Sequence, residues 1–237
     1  MSQWPLRIRP FRNVNELEDR LVLRSFSQRL IDNRSRFQIA VVDDESFGPL
    51  DVLRRHNFTI QHLRDVSSID QLIRYHIVLC DLVGVGLELH PTLQGAQIIS
   101  EVKKSYPEKV LVAYTGGGHK ELIEKSLQFS DYYLPKDAGI EDWCRILDEA
   151  IRDLANPATV WRKFRHRLLD AGVTPYQLAQ IEDRFVRKSL AGKEFSVQDM
   201  EKEADRLHIP NVAKSLIAHF IVHAVFEMAK EHMRASP

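Results

Sequence analysis

The feature that most constrains this chain is an alternation of short and long patterned segments through its middle. Residues 37–42, 59–63, 77–80, 110–114 and 132–134 are apolar or β-branched runs of strand length. Between and after them come stretches with helical patterning, over 49–55, 67–74, 93–106, 120–129 and 140–155. A strand followed by a helix, five times over, calls for crossover connections, so the strands run parallel and helices cover both faces of the sheet. The expected fold class is α/β, with a doubly wound five-stranded parallel sheet. In such a sheet ligands sit beyond the carboxyl ends of the strands. The residues that follow each strand are therefore the candidates for chemistry.

Asp43 and Asp44 follow the first run, Asp81 the third, Thr115 the fourth, and Lys136 comes just after the fifth. Three carboxylates, a hydroxyl and an ammonium thus converge on one edge. Crowded carboxylates hold their protons more tightly unless a hard cation neutralises them, and an all-oxygen donor set suits Mg2+. A metal-bound aspartate beside a lysine and a hydroxyl is a phosphoryl-acceptor constellation. The cation and the ammonium offset charge on the phosphoryl oxygens, the hydroxyl donates to one of them, and the aspartate oxygen attacks in line.

The motifs stand as Ile39-Ala-Val-Val-Asp43-Asp44-Glu45, Ile77-Val-Leu-Cys-Asp81, Val110-Leu-Val-Ala-Tyr-Thr115-Gly116 and Tyr132-Tyr133-Leu-Pro-Lys136. In order and placement they resemble the signature of response-regulator receiver domains, and the resemblance covers residues 37–155. It implies the flavodoxin-like strand order 2-1-3-4-5 and reversible phosphorylation of Asp81 by a sensor histidine kinase or a phosphotransfer protein. It also implies a Mg2+ site built from Asp44, Asp81 and the backbone carbonyl of Val83, with Asp43 acting mainly through water. By the same resemblance Lys136 and Thr115 assist the transfer, and Thr115 with Tyr133 forms the switch pair. A receiver catalyses its own phosphoryl transfer and dephosphorylation, and no separate enzymatic signature accompanies it in the tail.

Three departures from the family pattern carry expectations of their own. Asp137 takes the place of the proline that usually follows the lysine, which removes the sequence reason for a cis peptide and adds negative charge. The segment between Asp81 and Gly95 is roughly seven residues longer than usual, and Gly84, Gly86, His90 and Pro91 predict a flexible or specially shaped lip. Gly116-Gly117-Gly118 follows Thr115, and the glycine at 116 is expected to leave an acyl phosphate open to small donors and water. The triple glycine lacks the Lys-Ser/Thr of a phosphate-binding loop.

Charge divides the chain where the periodicity does: +4 over residues 1–37, −7 over 38–155 and +3 over 156–237. The domain limits read from these changes are 1–36, an N-terminal extension; 37–155, the receiver; and 156–237, a helical output or dimerisation module. In the extension, Asn13 and Glu16 predict a capped helix with Leu17, Leu21, Leu23, Phe26 and Leu30 on one face and Arg20, Arg24 and Arg29 on the other. Beyond Asn156 the pattern is all helical. One helix with Trp161, Phe164, Leu168 and Leu169 ends at Gly172, and a second, capped by Thr174 and Gln177, is closed by Gly192. A third is capped by Ser196 and Asp199, and a last runs from Pro210 to about Met233.

That last helix is apolar nearly all round, with Ala213, Ile217, Phe220, Ile221, Ala224 and Met228 on one stripe and Val212, Val222 and Phe226 opposite. Such a helix is buried on both faces, within its module or against a second copy, which makes a homodimer an expectation. His219, His223 and Glu227 have the spacing of metal ligands but read as packed or partly exposed residues. The helix after Ser196 sets Asp199, Glu201, Glu203 and Asp205 against Lys202 and Arg206, a poor match to DNA phosphates. The cluster Arg162-Lys163-Phe164-Arg165-His166-Arg167 fits a solvated helix face better than a DNA contact.

No apolar run approaches the roughly 18 to 20 residues that a membrane helix needs, and the N-terminus lacks the layout of a signal peptide. Two cysteines, Cys80 and Cys144, give no disulfide framework, so the cytoplasm is the expected compartment. Three outputs stay open. The tail signals to a protein partner or a second copy, it forms an atypical DNA-binding bundle of a transcription regulator, or the receiver serves as a phosphate sink for a kinase.

Overall fold

Alternating side chains build the sheet. Strands β1 (Gln38–Val42), β2 (Thr59–Leu63), β3 (Ile77–Asp81), β4 (Val110–Thr115) and β5 (Tyr132–Pro135) pair in the order β2-β1-β3-β4-β5, all parallel. This is the flavodoxin-like, doubly wound order expected of a receiver. Period-2 alternation sends Ile39, Val41, Ile77, Leu79, Val110, Val112 and Tyr114 into one core and Ala40, Val42, Val78, Cys80, Leu111 and Ala113 into the other. Central strands buried on both faces read as unbroken apolar runs, which is why β3 and β4 are legible without polar alternation.

These observations come from a computed structural model that describes residues 10–17, 34–191 and 196–218. In chain order its helices are α1 (Asn15–Leu17), α2 (Leu50–Arg55), α3 (Gln94–Ser105), α4 (Lys120–Leu127), α5 (Ile140–Ala155), α6 (Pro157–Asp170), α7 (Pro175–Leu190) and α8 (Val197–Arg206), with a further helical run over 211–218. The chain divides into two units, Arg24–Asn156 and, together, Met1–Leu23 with Pro157–Pro237.

In the α/β unit, α2 and α5 cover the first core and α3 with α4 the second. Helix α5 buries Trp143, Ile146, Leu147, Ala150, Ile151 and Leu154, the i, i+3, i+4 stripe of a helix laid on a sheet. The predicted helix at 67–74 is instead a single 3-10 turn, Ile69–Leu72. Tyr75 is buried and the His76 amide donates to Gln38 O at 2.8 Å, so the sheet takes over directly after this segment and the chain turns tightly before it. Arg34 clamps the entry to β1. Its Nε and Nη2 donate to the two Asp148 oxygens at 2.8 and 2.7 Å, and its guanidinium lies 4.6 Å from the Phe58 ring centre.

The second unit has its own core of Trp161, Phe164, Leu168, Leu178, Ile181, Phe185, Ile209, Ala213 and Ile217, and Val14 and Leu17 join it. The short N-terminal piece is docked by its backbone: the Val14 amide donates to Glu182 Oε1 at 2.9 Å and the Arg12 amide to Asp183 Oδ1 at 2.7 Å. The caps read from sequence form. Thr174 and Gln177 exchange hydrogen bonds ahead of α7, and Ser196 with Asp199 makes a capping box on α8. Ala213 and Ile217 are buried as expected, whereas Val212, expected to be covered, is 71% exposed in this chain, because 211–218 buries only one face. Residues 219–237, with His219, His223, Glu227 and the rest of the apolar stripes, lie outside the described residues, as do residues 18–33 and Gly192.

Candidate functional site

Strand parity assembles the site. Asp43 continues the series Ile39, Val41, and Asp81 continues Ile77, Leu79, so both leave the sheet on the side of the first core. Asp43 is fully buried and Asp81 nearly so, while Asp44 is exposed. Carboxylate oxygens of Asp43, Asp44 and Asp81 all lie within 4.8 Å of one another. Lys136 reaches over them from the end of β5. Its Nζ donates to Asp81 Oδ2 at 2.8 Å, to Asp43 Oδ1 at 3.2 Å and to Glu45 Oε2 at 3.2 Å. The Lys136 amide donates to Thr115 O at 2.9 Å, which ties the lysine to the end of β4.

The electrostatics follow from this crowding. Burial pushes the Asp81 carboxyl up, and hydrogen bonds from Lys136 and the Val83 amide offset only part of that effect. Burial pulls the Lys136 ammonium down, but Asp81, Asp43 and Glu45 outweigh it and hold the proton on more firmly than usual. The site is thus a pair of buried carboxyls with one ammonium between them and an exposed third carboxylate at the rim.

Sequence reasoning placed Asp43, Asp44, Asp81 and Lys136 together, and the structure does so. Thr115 is buried at the end of β4, and Tyr133 is half-buried against the second core. Three contributors were missed. Glu45 accepts from Lys136 Nζ at 3.2 Å, a role that its place in the first motif does not announce. Tyr114 donates its hydroxyl to Asp43 Oδ2 at 2.8 Å. Gln94 accepts from the Gly84 amide through Oε1 at 2.8 Å. Polar residues next to signature positions are the only sequence signal for any of them.

The long segment after Asp81 is a specially shaped lip held by hydrogen bonds. The Gly86 amide donates to Asp65 Oδ1 at 2.6 Å, the amides of Leu89 and His90 donate to Gly86 O, and Leu82 and Val85 are buried beneath. Two glycines are required here by contact. Gly84 has φ +84 and sits so close to Asp44 that a Cβ would meet its Oδ1 at 2.3 Å. A Cβ on Gly95 would meet the Asp81 carbonyl oxygen at 1.9 Å, so the first turn of α3 rests on the backbone of Asp81. Gly116, by contrast, faces open space.

The donor set fits a hard divalent cation: oxygen ligands only, more negative charge than Lys136 balances, and a backbone turn at Val83 and Gly84 beside them. No helix among the described residues is long and apolar enough to cross a membrane.

No protein-family model and no curated protein matches the chain. Solved structures similar to it include a CheY-like response regulator receiver domain protein from Methanospirillum hungatei JF-1, with 18% identity over 48% of this chain and 93% of that one and a TM-score of 0.41. A response regulator receiver domain protein from Clostridium thermocellum shares 22% identity over 48% and 94% of the two chains, with a TM-score of 0.40. The receiver domain of NtrX from Brucella abortus shares 21% over 48% and 98%, with a TM-score of 0.39.

Proposed function

We propose that the α/β unit is a working receiver, which takes a phosphoryl group onto Asp81 from a sensor histidine kinase or phosphotransfer protein. The observation that carries this reading is Asp81 itself, a buried carboxyl with Lys136 Nζ at 2.8 Å and two further carboxylates in cation-holding range. In the transfer an Asp81 oxygen attacks phosphorus, an acyl phosphate bond forms, and the bond to the donor nitrogen breaks with the electron pair leaving on that nitrogen. Asp44, Asp81 and the Val83 carbonyl would hold Mg2+, and Asp43 would act on it through water. When bound, the cation offsets charge on the phosphoryl oxygens and lowers the repulsion among the carboxylates. Lys136 orients Asp81 beforehand and neutralises a phosphoryl oxygen afterwards, while Thr115 supplies a hydroxyl at the end of β4 and Tyr133 responds to it as the switch partner.

Asp81→Asn decides the matter. Wild type should take up label from acetyl phosphate in Mg2+, and the variant should lose at least about 100-fold in rate. Equal labelling of both would overturn the assignment.

The helical unit is read as an output that meets a protein partner or a second copy of this chain. Its cations support that choice, since many are engaged within the unit: Lys188 with Asp199 at 2.8 Å, Arg187 with Asp183 at 2.7 Å, Lys214 with Asp205 at 2.6 Å and Arg206 with Glu203. DNA binding that collapses with added salt would show the opposite.

A further inference from the structure

Tyr114 is the register partner of Asp81 on the neighbouring strand, and its side chain crosses β3 to reach Asp43. It is fully buried, and its hydroxyl donates to Asp43 Oδ2, while Oδ1 of the same carboxyl accepts from the Glu45 amide and Lys136. A phenol that spans two strands can reach so far only if its ring is held. Phe47 and Trp143 hold it, with ring centres 5.7 and 5.4 Å away, and Trp143 meets both of the other rings edge-on. Trp143 belongs to α5, and its buried indole Nε1 has no hydrogen-bond partner, so core packing that includes these ring contacts holds it in place.

We infer that Tyr114 is a positioning residue of the carboxylate site, buttressed by Trp143, so that α5 bears on the orientation of Asp43 from beneath the sheet edge. The inference rests on the reading of the site as a Mg2+-dependent phosphoryl acceptor. The hydroxyl fixes one Asp43 oxygen and leaves the other to face Lys136, on the side where a bound cation would be met through water. Tyr114→Phe keeps the ring and removes only the hydroxyl, leaving Asp43 Oδ2 buried without that donor.

The test is a Mg2+ titration of the full chain, read as the rise in melting temperature with cation concentration. Wild type should respond, and Tyr114→Phe should need roughly tenfold more Mg2+ for the same rise, the usual scale for losing a partner that orients a ligand. An unaltered titration in the variant overturns the inference while leaving the receiver reading intact. A wild type that ignores Mg2+ overturns both. A second readout needs no change at Tyr114: in a chain carrying Trp4→Phe and Trp161→Phe, Trp143 emission should change as Mg2+ is added. An emission that stays constant through a titration in which the melting temperature rises also overturns the inference.

Discussion

Lys136 and Lys109 stand at opposite ends of the same sheet, and their surroundings differ in kind. Lys136 lies among three carboxylates at the carboxyl edge, with a quarter of its side chain in solvent. Lys109, just before β4 at the amino edge, is 4% exposed, and its Nζ donates to the carbonyls of Ile73 and Tyr75. Burial dominates at Lys109 and lowers its proton affinity to about 8, whereas opposite charge dominates at Lys136 and raises it. Burial alone therefore does not mark the functional end of this sheet. What marks it is burial of like charges together with a single counter-charge placed to serve all of them.

The largest effect that would sharpen this contrast is on chemistry. Lys136→Ala should slow label uptake from acetyl phosphate by about 100-fold, the cost of removing one preorganised donor to a developing charge, while Lys109→Met should leave it nearly unchanged. Comparable losses in both variants would break the distinction between the two ends.

Next comes stability against pH. Between pH 8 and about 10.4, the unfolded value for lysine, the unfolded chain holds more of the Lys109 proton than the folded one, so the Lys109 contribution to stability rises with pH, by up to about 3 kcal/mol. Above about pH 10 the trend reverses, because Tyr114 and Tyr132 are pushed up, first by burial and then by neighbouring carboxylates, and keep their protons only in the fold. Burial also pushes the Cys80 thiol up, so its contribution falls with pH over the same range, and the difference between chains isolates the lysine: denaturant melts at pH 7.5 and 9.5 should show wild type gaining stability relative to Lys109→Met. The smallest effect is at the lip: Gln94→Ala removes the hydrogen bond to the Gly84 amide and should cost about 1 kcal/mol in the same melts.

The parts legible from the sequence are those with a repeating signal. The five strands and α5 came from periodicity, and Asp43, Asp44, Asp81 and Lys136 from their places at strand ends. The residues that escaped notice act across strands. Tyr114 sits in an apolar run where an aromatic looks like core, and only the pairing of β4 with β3 shows that it reaches a carboxylate two strands away. Gln94 looks like an ordinary first-turn helix residue and Asp65 like an ordinary loop residue until the lip brings Gly84 and Gly86 against them. The turn at Ile69–Leu72 was overcounted because local propensity does not show how soon the sheet takes over, with His76 already bonded to its strands.

The seat of α3 on the Asp81 backbone turns that helix into a lever. Its twelve residues extend about 18 Å at 1.5 Å per residue. With the Gly95 Cα lodged against the Asp81 carbonyl, a shift of that backbone would act at the fulcrum end. A tilt of roughly 3° there displaces the Ser105 end by about 1 Å, at that length. Under the proposed chemistry, an event confined to one carboxyl group would reach the opposite edge of the sheet through this helix, with the gain set by helix length.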